Sequence, residues 1–149
     1  MNKLTKSTFA TLILLGSHLA QAYAEPQSLD EKRQAVVAKY VNNLAQADLE
    51  GMQAIFSGDA TVVSTSAGEK NALSFFAGFF PLIQSAHTQL HQRFVSVTDT
   101  NRLAARFHLD YQLYDGETGN GEYVDEFVFY DNSEQLKAVY MFENLKFPQ

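Results

Sequence analysis

An α+β domain, with three helices laid against a mostly antiparallel sheet, is the fold class this chain predicts. Two periodicities carry the expectation. Apolar residues recur at three- and four-residue spacing between Ser28 and Phe80, and from His87 onward they recur at every second residue. No repeat, linker or low-complexity stretch breaks the pattern, so helices and strands are expected to share one core within residues 25–149.

The helical part opens on Ser28-Leu29-Asp30-Glu31. This fits a capping box, in which the serine hydroxyl takes a backbone N–H of the first turn and the glutamate reaches back to the cap. Val37, Tyr40, Val41 and Leu44 then form one apolar stripe, with Lys32, Arg33, Lys39 and Asn43 assigned outside it. A break is expected at Ala47-Asp48, with Asp48 capping a second helix that turns Leu49, Met52, Ile55 and Phe56 inward. Ser57-Gly58-Asp59 reads as a turn, and Ala60 to Thr65 as the first strand. Asn71 to Phe80 suits a third helix. Its Phe75, Phe76, Phe79 and Phe80 make a band too wide to face water, and Pro81, which has no N–H, should end it.

Strands follow. Between Arg102 and Tyr114 the residues Leu103, Ala105, Phe107, Leu109, Tyr111 and Leu113 share one face, and Arg102, Arg106, His108, Asp110 and Gln112 the other. Asp115 to Gly121 reads as a glycine-rich connection. Glu122 to Tyr130 and Gln135 to Phe147 read as two further strands around the turn Asp131-Asn132-Ser133.

The first 24 residues stand apart. Lys3 and Lys6, the apolar run Phe9 to Leu15 and the small-x-small site Ala22-Tyr23-Ala24 have the form of a secretory signal peptide, too short for a membrane span. A periplasmic or secreted protein is expected. All 17 acidic residues lie beyond that leader, whereas two of the 11 Lys/Arg lie within it, so the remaining chain is more acidic than the net −6 of the whole. Phosphate backbones and anionic lipid would repel it, which argues against nucleic-acid and membrane-surface partners. With no cysteine, it has neither disulfides nor thiolate chemistry.

Ala47-Asp48-Leu49-Glu50-Gly51, Ile55-Phe56 and Asp59-Ala60-Thr61-Val62, led by a helix carrying Tyr40, resemble the nuclear transport factor 2-like superfamily, and within it the SnoaL-like and ketosteroid isomerase-like proteins. The resemblance implies a curved sheet wrapped on three helices into a cone with an apolar pocket. In the isomerases, a tyrosine on the first helix and a protonated aspartic acid on a later strand donate hydrogen bonds to the substrate oxygen, while a second aspartate moves the proton. Tyr40 and Asp125 fall on the two donor positions, and the base position falls on Ser64. A serine without a partnered base cannot abstract a proton near neutral pH.

Each candidate also admits a plain reading. Tyr40 lies on an apolar stripe and can simply pack. Asp125 shares strand parity with Tyr123, Phe127 and Phe129, so it is paired, neutral or outward-facing. Glu143 shares parity with Val139 and Met141 and is the spare carboxylate for a relocated base, unless it is a solvated strand end. His91 falls where some dehydratase-like relatives carry a working histidine, and is otherwise a surface residue. His87 and His91 on one strand face are about 13 Å apart, too far for one ion, so no metal and no cofactor are expected.

The catalytic set is therefore Tyr40, Asp125 and Glu143, with Ser64, Phe76, His91, Phe127 and Met141 expected to touch ligand. The expected function is binding of a small apolar or carbonyl-containing molecule in a conical pocket, without the usual isomerase base. The alternatives are an isomerase, dehydratase or cyclase of the SnoaL-like kind with a relocated base, and a non-catalytic interaction domain, including a homodimer.

Overall fold

The computed structural model describes residues 27–145, with side chains as far as residue 142. The expected signal peptide and the last four residues lie outside the described residues. The order is α1 (Leu29–Gln46), α2 (Leu49–Ile55), β1 (Phe56–Ser64), β2 (Gly68–Asn71), α3 (Ala72–Phe79), a 3₁₀ turn (Phe80–Leu82), β3 (Ile83–Val95), β4 (Arg102–Leu113), β5 (Thr118–Phe129) and β6 (Leu136–Leu145). The strands form one six-stranded sheet in the order β2-β1-β6-β5-β4-β3, antiparallel throughout except where β1 pairs β6.

Local chemistry sets the helix ends. Ser28 Oγ accepts from Glu31 N at 3.2 Å, and Ser28 N donates to Glu31 Oε2 at 2.8 Å, which closes the capping box. Ala47 ends α1 in the left-handed conformation (φ 48°), and Asp48 Oδ1 accepts from Gly51 N at 2.8 Å to start α2. Gly51 is required by space, because a Cβ there would press on the Asp48 carboxylate and the Asn43 amide. Asn71 caps α3, and Pro81 sits in the 3₁₀ turn that ends it.

Four details depart from the sequence reading. Ser57-Gly58-Asp59 continue β1 instead of turning, with a register irregularity between Phe56 and Thr61 against β6. Gly68–Asn71 form β2, a short hairpin partner of β1 that no apolar alternation announces, since all four residues are exposed. β5 begins at Thr118, so Gly119 and Gly121 are strand residues, and the turn is shorter than the glycines suggested. Arg33 and Asn43, assigned to the outer face of α1, are buried.

Arg33 shows why. Its guanidinium donates to the carbonyls of Ser133, Thr100 and Tyr130, each at 2.8 Å, and to Asn101 Oδ1 at 3.0 Å, and it lies over the Phe129 ring at 5.1 Å. One side chain thus ties α1 to the β3–β4 and β5–β6 turns. Farther along the helix, Val41 O accepts from Thr88 Oγ1 at 3.0 Å and Gln34 O from Arg93 Nη1 at 3.2 Å, which holds α1 across β3. The core lies between the helices and one face of the sheet, where Val37, Tyr40, Met52, Phe76, Phe107, Phe127 and Val139 are fully enclosed. Burying a large apolar side chain of this kind contributes roughly 1.5–3 kcal/mol.

Candidate functional site

Helical spacing brings Tyr40 onto the inner stripe of α1 between Val37 and Leu44, and strand alternation brings Asp125 onto the inner face of β5 between Tyr123 and Phe127. The two meet. Tyr40 Oη donates to Asp125 Oδ2 at 2.9 Å, and both residues are buried. The tyrosine ring is held edge-on by Phe127 at 5.0 Å, Phe76 at 6.1 Å and Phe56 at 6.2 Å. Three edge-to-face contacts of this kind fix the direction of the hydroxyl as well as the ring.

The surroundings also set the acidity of the phenol. Burial, then the facing Asp125 carboxylate and its hydrogen bond, push the Tyr40 pKa well above the ordinary tyrosine value. Tyr40 therefore keeps its proton at every physiological pH and acts as a donor.

Beside this pair lies a cavity of about 390 Å³, within the size range of small-molecule sites. Tyr40, Leu44, Phe76, Leu109 and Asp125 form its buried part. Phe75, Phe79, Tyr111, Tyr123 and Met141 are its half-buried walls, and Ser66 and Glu117 are exposed lining residues. Among the described residues no Lys, Arg or His lines it.

Of the residues anticipated to touch ligand or act in catalysis, the structure brings Tyr40, Phe76, Asp125 and Met141 to the cavity wall. Met141 stands directly across from Asp125 on β6. Phe127 does not line the cavity; it is fully buried, and its ring meets that of Tyr40 edge to face. Ser64 is buried but not part of the lining. Its hydroxyl accepts from Ala67 N at 3.0 Å and sits 3.4 Å from Ser66 Oγ, closing the β1–β2 turn.

His91 lies on the opposite face of the sheet. Leu90 carries the inward position opposite Phe107, and the irregularity between Leu90 and Gln92 leaves His91 facing outward, with Nε2 3.3 Å from Glu122 Oε1. There it joins His108, His87 and Asp110, so all the histidines beyond the leader are remote from the cavity. Of Glu143 the structure describes only its place on β6, and its side chain lies outside the described residues.

Tyr111, Tyr123, Leu44, Leu109, Ser66 and Glu117 line the cavity without having been singled out as site residues. The two tyrosines had a usable signal, since each sits on the inward parity of its strand. Tyr111 needs a second condition. Its ring lies across Gly119, where a Cβ would run into the aromatic carbons, so the glycine opens the space the ring occupies.

No protein-family model matches the sequence, and no curated protein does. Solved structures do match. A chain from Jannaschia sp. named as a SnoaL-like polyketide cyclase superposes with a TM-score of 0.63 at 12% identity, over 80% of this chain and 90% of that one. A Catenulispora acidiphila protein with a ketosteroid isomerase-like fold, solved with trimethylamine, gives a TM-score of 0.61 at 9% identity over 74% and 85%. TerC co-crystallized with polyporic acid gives 0.59 at 11% identity over 76% and 92%. The architecture is thus the nuclear transport factor 2-like cone, three helices on a curved six-stranded sheet.

Proposed function

We propose that this chain is an exported binding protein that holds a small apolar or carbonyl-containing molecule in its conical cavity, with Tyr40 and Asp125 meeting the polar end of the ligand. The observation that carries this reading is a buried phenol–carboxyl pair at the wall of a cavity of about 390 Å³ lined mainly by aromatic and aliphatic side chains. Such a site combines an apolar body with a few convergent polar groups. Binding is favoured over catalysis because Ser64 is engaged in a turn and His91 lies on the far face, so neither serves as a base. The structural neighbours named for a polyketide cyclase and for a complex with polyporic acid support a small organic ligand.

Titration with a cyclic enone and with a phenol of similar size tests the reading. Saturable binding is expected, and Asp125→Asn should alter its pH dependence. No binding to either compound class would overturn the proposal, whereas turnover of the enone by the unmodified protein would replace it with the SnoaL-like isomerase or cyclase reading.

A second role has its own support. On the outer face of the sheet, Phe94 and Phe142 are exposed beside Arg102 and Glu126, which pair at 2.8 Å. An apolar patch bordered by both charge signs suits a second copy of the same chain. Sedimentation equilibrium of wild type and Phe142→Glu distinguishes a dimer, dissociated by the charge, from a monomer in both cases.

A further inference from the structure

The cavity has two polar ends that differ in kind. At the buried end stands the Tyr40–Asp125 pair. The other carboxylate among its described lining residues is Glu117, which is exposed and immediately precedes β5. Glu117, Gly119, Tyr123 and Asp125 share one strand parity, so Glu117 and Asp125 stand at opposite ends of one inward row. Between them Tyr111 lies flat over Gly119, and Phe79 meets the Tyr111 ring at 89° with centroids 5.7 Å apart. Phe75 stacks on Phe79 at 6.2 Å.

Two aromatic faces at right angles, with a carboxylate lining the same wall, form half of the cage that holds alkylammonium groups. The ring faces carry negative quadrupole potential, and the carboxylate adds net charge. Among the described residues no cation lines the cavity to oppose this, and the protein's net charge is −6.

From this arrangement we infer that the cavity selects a ligand with a cationic alkylammonium end, seated against Phe79, Tyr111 and Glu117, and that it rejects anionic ligands of the same shape. The inference rests on the binding reading above and narrows it to a ligand class. Gly119 is a specificity-determining position in this account, because only a residue without a side chain leaves the Tyr111 ring in place.

Three probes of nearly equal shape separate the possibilities: 4-acetylphenyl-trimethylammonium, its neutral isostere 4-tert-butylacetophenone, and 4-acetylbenzenesulfonate. The cation should bind roughly tenfold more tightly than the neutral ketone at low ionic strength, and the sulfonate should bind least. Glu117→Gln should reduce the ratio of cation to ketone affinity, and added salt should do the same. Tyr111→Leu should weaken the cation more than the ketone. Equal affinity of cation and ketone for the wild type, or a preference for the sulfonate, would overturn the inference while leaving the binding reading intact. Failure of all three probes to bind would overturn both.

Discussion

Tyr40→Phe removes one oxygen from the centre of the protein and leaves every ring contact in place. The three edge-to-face partners of Tyr40 touch its ring, so packing against Phe56, Phe76 and Phe127 is preserved. What disappears is the 2.9 Å bond to Asp125 Oδ2. A hydrogen bond between neutral groups contributes about 0.5–1.5 kcal/mol, and one to a charged group about 1.5–3 kcal/mol. A loss of about 1–3 kcal/mol in urea unfolding is therefore expected at pH 7. Its size reports the state of the carboxyl group, with the upper half of the range pointing to an ionised Asp125.

The same variant carries a pH signature. Because the Tyr40 pKa is raised in the folded protein, its contribution is fully present below the unfolded value near pH 10. It is lost as pH rises from there toward the folded value, where the unfolded chain releases a proton that the native state retains. Urea unfolding from pH 8 to 11 should show wild type losing stability more steeply than Tyr40→Phe, with the two curves converging. Equal stability at pH 7 together with parallel alkaline slopes would mean that the hydroxyl is solvated, and the buried pair would be refuted.

Other changes probe separate parts of the account. Arg33→Met keeps the stem but removes four hydrogen bonds that join α1 to two turns, so a loss of about 3 kcal/mol or more is expected in urea unfolding. A loss under about 1 kcal/mol would show that the guanidinium is dispensable. Gly119→Ala should displace the Tyr111 ring and weaken ligand binding severalfold with little change in melting temperature; unchanged affinity would remove Tyr111 from the site. Ser64→Asp should create no enone isomerase activity, because position 64 serves the β1–β2 turn, and should destabilise by about 1–3 kcal/mol through a buried carboxyl group. Measurable isomerisation would mean that this side chain reaches the cavity.

Much of the architecture was legible because its determinants are local. The capping box at Ser28, the N-cap at Asp48, the break at Ala47 and the alternation of β4 each depend on neighbours within a few residues, and each is present. The misread features depend on distant ones. Arg33 is buried because carbonyls some 67 to 100 residues away receive it, which helical periodicity alone cannot reveal. Gly119 has the sequence surroundings of a turn, yet it sits within β5 and admits an aromatic ring from β4. β2 has no buried face, so alternation leaves no trace of it.

The site divides along the same line. Tyr40 and Asp125 could be placed because each sits on the apolar face of a regular element. His91 could not be judged by proximity in sequence to inward residues. The neighbouring Leu90 already fills the inward position, and the irregular pairing between Leu90 and Gln92 turns His91 toward Glu122. Glu117 lay in a stretch read as a loop, so its place at the end of an inward row emerged only once β5 was seen to begin beside it.

The most direct test of the central claim is amide chemical-shift mapping of the folded protein during titration with 4-tert-butylacetophenone. Saturable shifts clustered at Tyr40, Phe76, Tyr111, Tyr123, Asp125 and Met141, and weakened by Tyr40→Phe, are the predicted result. Shifts confined to the outer face around Phe94 and Phe142, or none at saturating ketone, would contradict it.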